Sequence, residues 1–209
     1  MKKILIVCLI SLLVLVVCGY SLLKVMNSRS FQFFGGIVSH VKTSENVVAL
    51  TFDDGPSAKT DLILNILDDL DVKATFFLTG HEIERNFQAA QKIAQAGHEL
   101  ANHSYSHQRM VFKSPTWIKN EIEKTDELIL KMGYTGDIHF RPPNGKKLLL
   151  LPYYLKKNDR QTILWNLEPD SYPDIAADAE KIVAYVNDHI QPGSIILLHV
   201  MYESREESL

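Results

Sequence analysis

The feature that most limits this chain is a stretch of 20 residues, Ile4 to Leu23, that carries no charge. At 1.5 Å per residue, a helix of that length spans ~30 Å of hydrocarbon, enough to cross a bilayer. A cleavable signal sequence has a shorter apolar core, ~7 to 15 residues, closed by a small-x-small site. Here the run is longer and no Ala-x-Ala follows, so an uncleaved signal anchor is expected over residues 1–27, a short cytoplasmic tip and one transmembrane helix. Lys2 and Lys3 favour an inside amino terminus, whereas Lys24 and Arg29 on the far side oppose it. Leu15-Val-Val-Cys18 is similar to a lipoprotein box except for bulky Val17, where a small residue is needed, so lipidation is not expected. The expected location is the cell membrane, single-pass, with the remainder on the extracytoplasmic side.

Residues 28–41 read as a linker, and the 168 residues from Lys42 to Leu209 are the size of one domain. With 46% hydrophobic and 22% charged residues, the composition excludes disorder. A net charge of -3 gives no field that would draw nucleic acid to the surface, and no obligate protein partner is implied. Both cysteines, Cys8 and Cys18, fall in the apolar run. The domain therefore has neither a disulfide nor a thiolate metal site, and any metal must be held by histidine and carboxylate.

Val47 to Phe52 is β-branched and apolar and ends at Asp53-Asp-Gly-Pro56, which predicts a buried strand and a turn. Thr60 to Leu70 has helical periodicity and Ala74 to Leu78 is a second strand, giving a β-α-β unit. Helices are expected over Glu82 to Ala96, Pro115 to Met132 with Ser114 as N-cap, and Ile175 to Ile190. Further strands are expected at His98 to Ala101, Ile138 to Arg141, Thr162 to Trp165 and Ser194 to His199. Such alternation implies a parallel α/β sheet or barrel, whose active site gathers at the carboxyl ends of the strands. Asp53, Asp54, His103, His107, Arg141, Trp165 and His199 all fall there.

His103-Ser-Tyr-Ser-His107 sets two imidazoles four residues apart, one helical turn, and Asp54 could complete a site with one carboxylate. Alone, such a pair is more often solvent-facing, and Asp-Asp-Gly-Pro is more often a solvated turn. Together they favour a metal site. Adjacent carboxylates at a strand end point to opposite faces, so their roles should divide: Asp54 on metal, Asp53 free to take a proton from water activated by the cation.

Thr51-Phe-Asp-Asp-Gly-Pro56, His103-Ser-Tyr-Ser-His107, Arg141-Pro-Pro-Asn-Gly145 and Leu197-Leu-His199, in that order, resemble the successive motifs of the NodB-homology polysaccharide deacetylases, carbohydrate esterase family 4. The resemblance spans about Val47 to His199. It implies a distorted, incomplete (β/α) barrel, a divalent metal (zinc foremost, cobalt or nickel as alternatives), and hydrolysis of N-acetyl groups from N-acetylhexosamines of peptidoglycan or a chitin-like oligomer. By the same resemblance Asp53 is the general base, Asp54, His103 and His107 bind metal, and Arg141 orients Asp53. His199 is the general acid, Leu197 shapes the acetyl pocket, and the Asn144 backbone N–H stabilises the oxyanion. Pro143 and Trp165 join the substrate-binding group, Trp165 as core or cleft wall.

The chain departs from the family pattern in three places. Asn144 replaces the usual Tyr, so one aromatic wall is absent. Trp165-Asn-Leu-Glu-Pro-Asp-Ser-Tyr172 offers Asp170 one position early as the partner that raises the His199 pKa, with Glu168 in reserve. Relatives continue past the last motif with another helix and strand, so the domain, 42–209, is expected to lack its carboxyl-terminal closure, and residues 201–209 to begin a helix. Two other readings stay open: a non-catalytic glycan-binding fragment of the same fold, and hydrolysis of another non-peptide C–N bond. His40, His81, His98, His139 and His189 are expected to be structural or superficial, Phe76 and Phe77 core, and Lys146-Lys147 a solvated pair.

Overall fold

The computed structural model describes residues 2–202 of the 209. The uncharged run lies within one helix, α1 (Lys2–Asn27), with no buried residue. By length and composition it can cross a membrane. The chain then forms β1 (Ile37–Val38), β2 (Ala49–Asp53), α2 (Thr60–Asp69), β3 (Thr75–Leu78), α3 (Gly80–Arg85), α4 (Phe87–Gln95) and β4 (Glu99–Asn102). After these come α5 (Pro115–Lys131), α6 (Leu150–Lys157), β5 (Thr162–Ile163), α7 (Pro173–Ala176), α8 (Ala179–His189) and β6 (Ile195–Leu198).

Four strands make a parallel sheet in the order β4-β3-β2-β6, and β1 pairs in parallel with β5. The register sets Asp53 beside Phe77, Leu78 beside Asn102 and Phe52 beside Leu198. The carboxyl ends of β2, β4 and β6 therefore finish at one rim. Single bridges, Asn102 to Phe140, Phe140 to Thr162 and Leu167 to Ile196, extend the parallel pairing. Among the described residues, regular strands stop short of a closed barrel.

Apolar side chains explain these elements. Phe52, Phe76, Leu78 and Leu100 of the sheet pack with Ile83, Ile93 and Ile129 of the helices. Each such side chain contributes about 1.5–3 kcal/mol by leaving water. Phe76 and Phe77 are both buried, as expected. α5 begins where its signals place it, with Ser114 Oγ accepting from Trp117 N at 3.2 Å and Pro115 in the first turn.

Five local expectations change. The segment 138–141 contributes two single bridges at Phe140, to Asn102 and to Thr162, instead of a strand, because Pro142 and Pro143 cannot donate to a ladder. The helix expected over 82–96 breaks at Asn86, whose φ of -127° leaves the helical region. The helix expected over 175–190 divides, and Asp178 caps α8 by accepting from Glu180 N and Lys181 N. α6 lies where no helix was anticipated. The supposed linker, 28–41, is also woven into the body: it carries β1, and Val41 N donates to Gly193 O at 2.9 Å. Of the helix expected over 201–209, Met201 and Tyr202 form a turn and the rest lies outside the described residues.

Gly193 is where this weave is tightest. Its φ is +83°, and a Cβ there would meet Val41 O at 1.8 Å. Gly193→Ala is expected to destabilise the protein by more than about 2 kcal/mol, read as a lowered thermal unfolding midpoint in detergent.

Candidate metal centre and active site

β2 delivers Asp53 at its last position, and Asp54 then adopts a left-handed φ of 74°, a conformation that Asp tolerates better than most residues. That turn, rather than simple strand alternation, separates the two carboxylates. β4 delivers His103, whose Nδ1 donates to Arg141 O at 2.7 Å, leaving Nε2 as the atom that faces the carboxylates. Its Nε2 lies 3.6 Å from Asp54 Oδ1, and His107 Nε2 lies 3.0 Å from the same oxygen. One ligand atom from each of Asp54, His103 and His107 lies within 4.8 Å of the others.

The two imidazoles are not on a helix, contrary to the expectation from their spacing. They sit on a loop that needs left-handed backbone at Ser104 and His107, with φ of 66° and 55°. Glu121 of α5 holds this loop: its carboxylate accepts from Tyr105 N at 3.1 Å, Ser106 N at 2.8 Å and Ser106 Oγ at 2.9 Å. Asn102 Oδ1 adds a bond from Ser104 N at 2.7 Å. Sequence reasoning missed Glu121. Its signal was a lone acid on the apolar face of α5, beside Ile118, Ile122 and Thr125.

These residues fit a divalent cation on a specific observation. Asp54 Oδ1 is buried and accepts no hydrogen bond, although it points at two imidazole nitrogens. Burial pushes the Asp54 carboxyl up and pulls both imidazoles down. A buried, unsatisfied carboxylate oxygen facing two neutral imidazoles is a nitrogen-oxygen donor set suited to zinc and similar ions.

Asp53 borders that set and is bonded differently. Arg141 Nη1 donates to Asp53 Oδ1 at 2.6 Å and to Thr51 Oγ1 at 2.9 Å, and Nη2 donates to Leu164 O at 3.3 Å. Arg141 and Asp53 are both buried, and the guanidinium lies 3.8 Å over the Phe77 ring. Burial alone would raise the Asp53 carboxyl, but the Arg141 charge and the neighbouring imidazoles hold it below its usual range. Its other oxygen lies 3.4 Å from His103 Nε2.

β6 delivers His199 on the opposite side. Asp170 faces its Nδ1 at 3.2 and 3.3 Å and also accepts from His199 N at 2.6 Å. Burial would lower this imidazole, yet Asp170 and the other carboxylates lift it to about 9. Its Nε2 points inward, 4.0 Å from Asp54 Oδ2. Of the two acids considered for this pairing, Glu168 is engaged elsewhere, with Arg29 at 2.7 Å and Trp165 Nε1 at 2.6 Å.

The remaining residues divide by depth. Pro143 and Asn144 form a tight turn at the rim, with Asn144 at φ 54° and its Oδ1 accepting from Arg109 Nε at 3.3 Å. Leu197 is fully buried with Leu164, Trp165 and Ile195, so its side chain sits beneath the site. Lys147 is not solvated: the segment after α1 covers it, its Nζ donates to Ser28 O, and burial pulls its ammonium down to about 8. His98 is buried and accepts from Ala74 N at 3.3 Å, while His139 faces Glu99 at 3.6 Å; neither joins the site. Asp54 and His107 open onto a cavity of about 400 Å³ whose far wall includes Met201 and Tyr202. Tyr202 lines this cavity together with Asp54, a neighbour no motif announced.

A parallel α/β body whose strand ends gather two acids, three imidazoles and one arginine is the NodB type of fold. The family model for polysaccharide deacetylase matches residues 40–163, and the chain belongs to that family, carbohydrate esterase family 4. It is 31% identical over 176 residues to the peptidoglycan-N-acetylmuramic acid deacetylase PdaA of Bacillus subtilis, covering 80% of this chain and 65% of PdaA. It is 34% identical over 153 residues to a peptidoglycan-N-acetylglucosamine deacetylase of Bacillus cereus, covering 73% and 55%. The chain thus spans between about half and two-thirds of the length of these relatives. Among solved structures, the Bc1960 peptidoglycan N-acetylglucosamine deacetylase superposes with a TM-score of 0.76 at 30% identity, covering 82% of this chain and 80% of that one. BA3943 of Bacillus anthracis, described as a pseudoenzyme of the same family, superposes with a TM-score of 0.73 at 27% identity, covering 83% and 61%.

Because Glu121 fixes the loop between the two histidines, Glu121→Ala is expected to weaken zinc binding by about 10- to 100-fold. Competition with a chromogenic chelator, at unchanged far-ultraviolet circular dichroism, measures this.

Proposed function

We propose that this chain is a metal-dependent N-deacetylase of cell-wall amino sugars, with peptidoglycan as the polymer and acetate as the product. The observation that carries the reading is the different bonding of the two adjacent acids: Asp54 shares a ligand-sized space with His103 and His107 and has an unbonded buried oxygen, while Arg141 bonds one oxygen of Asp53 at 2.6 Å. When bound there, a divalent cation, zinc foremost, supplies a Lewis acid that lowers the pKa of a water and polarises the acetamido oxygen. Asp53, kept anionic by Arg141, takes the proton of the attacking water. The backbone N–H of Asn144 donates to the oxyanion. His199, its Nδ1 held by Asp170, delivers a proton from Nε2 to the departing amine nitrogen. Pro143, Leu197 and Trp165 shape the floor and wall on which the acetyl group and sugar rest.

The deacetylase names of PdaA and Bc1960 support peptidoglycan as the substrate class, and α1 supports a single-pass anchor with the folded body that follows it, β1 included, outside the membrane. A glycan-binding role without turnover is the second reading, favoured by the likeness to BA3943. Acetate release separates the two. Asp53→Asn is expected to lower kcat by at least about 100-fold, the lower range for loss of a general base, while zinc is still bound. A chelator is expected to abolish release and added zinc to restore it. Release of no acetate from acetylated peptidoglycan by the zinc-loaded protein would favour binding alone.

The acid limb gives a second test. A general acid works while protonated, so activity falls as pH rises through the His199 pKa of about 9. Asp170→Asn removes the main partner that raises that pKa, so the alkaline limb of kcat against pH is expected to move to lower pH. An unmoved limb would remove His199 from the role of acid.

A further inference from the structure

The segment between α1 and β1 brings together features that the catalytic reading does not use. Phe31 and Phe33 follow the apolar helix by four and six residues, and Phe34 packs edge-to-face on Tyr153 of α6 with ring centroids 5.5 Å apart. Phe31, Phe33, Leu149, Leu150 and Tyr153 remain 43 to 52% exposed. Leu150 and Tyr153 are three apart on one helix and share a face. So many large apolar side chains exposed on α6 and on the segment that packs against it are not typical of a surface facing only water.

The two segments that build this region are basic, with acids only at their borders, Glu168 paired with Arg29 and Asp159 after α6. Segments 28–38 and 143–157 contain no acidic residue, yet together they carry Arg29, Lys146, Lys147, Lys156 and Lys157. Lys156 and Lys157 are exposed at the end of α6. The nearest acid on the neighbouring helix, Glu123, is bonded by Tyr154 and faces Lys119 at 3.6 Å.

The region is also fixed to the body. Lys147 Nζ donates to Ser28 O, and Arg29 pairs with Glu168 and lies 4.6 Å over Trp165. Four residues of fully extended chain reach about 14 Å at most. The headgroup layer on each side of a bilayer is about 5–8 Å deep. If α1 crosses a bilayer with Leu23 at the hydrocarbon edge, helical residues 24–27 add about 6 Å, so Phe31 lies at most about 20 Å from that edge, and the contact of Phe34 with Tyr153 keeps α6 near it.

We propose that the face formed by Phe31, Phe33, Leu149, Leu150 and Tyr153, rimmed by Lys156 and Lys157, is seated in the interface of an anionic lipid bilayer and orients the catalytic domain on it. The proposal rests on α1 being a membrane span. It adds a second, interfacial contact made by the folded domain itself: apolar side chains enter the acyl boundary and lysines meet acidic headgroups.

The test uses the full chain in vesicles of phosphatidylcholine and phosphatidylglycerol, with Cys8→Ser and Cys18→Ser to remove the native thiols. A fluorophore is attached to one introduced cysteine at a time: Leu12→Cys within α1, Phe33→Cys, Tyr153→Cys, or Asp69→Cys on α2 as a remote control. Lipids bearing a nitroxide at headgroup depth act as quencher. The expected result is loss of most fluorescence at 33 and 153, little loss at 69, and a smaller loss at 153 when Lys156→Glu and Lys157→Glu are added. If 12 and 33 respond to lipid-borne quenchers at matching depth but 153 behaves as 69 does, the anchor stands and the seated face is overturned. Energy transfer between copies at 153, without quenching by lipid, would give the face to a second copy and likewise overturn it. If even a deep acyl-chain nitroxide leaves 12 bright, the membrane reading of α1 fails, and the seated face fails with it.

Discussion

The buried contact between Arg141 and Asp53 is the constraint on which the site is built. Two charges out of water are costly unless each is well bonded, and here the guanidinium also satisfies Thr51 Oγ1 and Leu164 O while lying over Phe77. Four separate stretches of chain are thereby referred to one group. Removing one partner from such a pair typically costs about 3–5 kcal/mol, so the geometry that keeps Asp53 anionic also helps hold the strand ends together. Arg141 contributes its backbone too: its carbonyl accepts from His103 Nδ1. One residue therefore fixes an acid beside the ligand cluster and the tautomer of an imidazole within it.

The sheet supplies the rest of the positioning. Parallel strands in register finish together, so residues just beyond β2, β4 and β6 become neighbours although 145 positions separate Asp54 from His199. The loops then aim each side chain. Left-handed backbone at Asp54 and His107 brings a carboxylate oxygen and an imidazole nitrogen to 3.0 Å, and Glu121 bears the loop from below. His199 is aimed from the other side by two contacts to a single carboxylate, one through its backbone and one through its ring.

Much of this was legible in the order of residues. Short apolar runs ending at Asp53 and His199 announced strands and a common rim, and Ser114-Pro115 announced α5, because those signals are local. Where the outcome depended on partners distant in sequence, the reading failed. The histidine spacing suggested a helix, but the loop is held by Glu121, 14 positions after His107. Residues 28–41 looked like a linker because Ile37 and Val38 are a strand only through Thr162 and Ile163. Lys147 looked solvated because nothing nearby in sequence shows that Ser28 covers it. Asp170 and Glu168 were indistinguishable as partners of His199 until the turn at Pro169 turned one inward and left the other to Arg29.

The incorporation of β1 into the body has a mechanical consequence. Only residues 28–36 lie between α1 and the first strand, and some of those are pinned as well. With α1 in a bilayer, the arrangement is a short rigid stalk, not a leash. The rim that carries Asp54, His103 and His107 would then be held at a short, set altitude above the lipid.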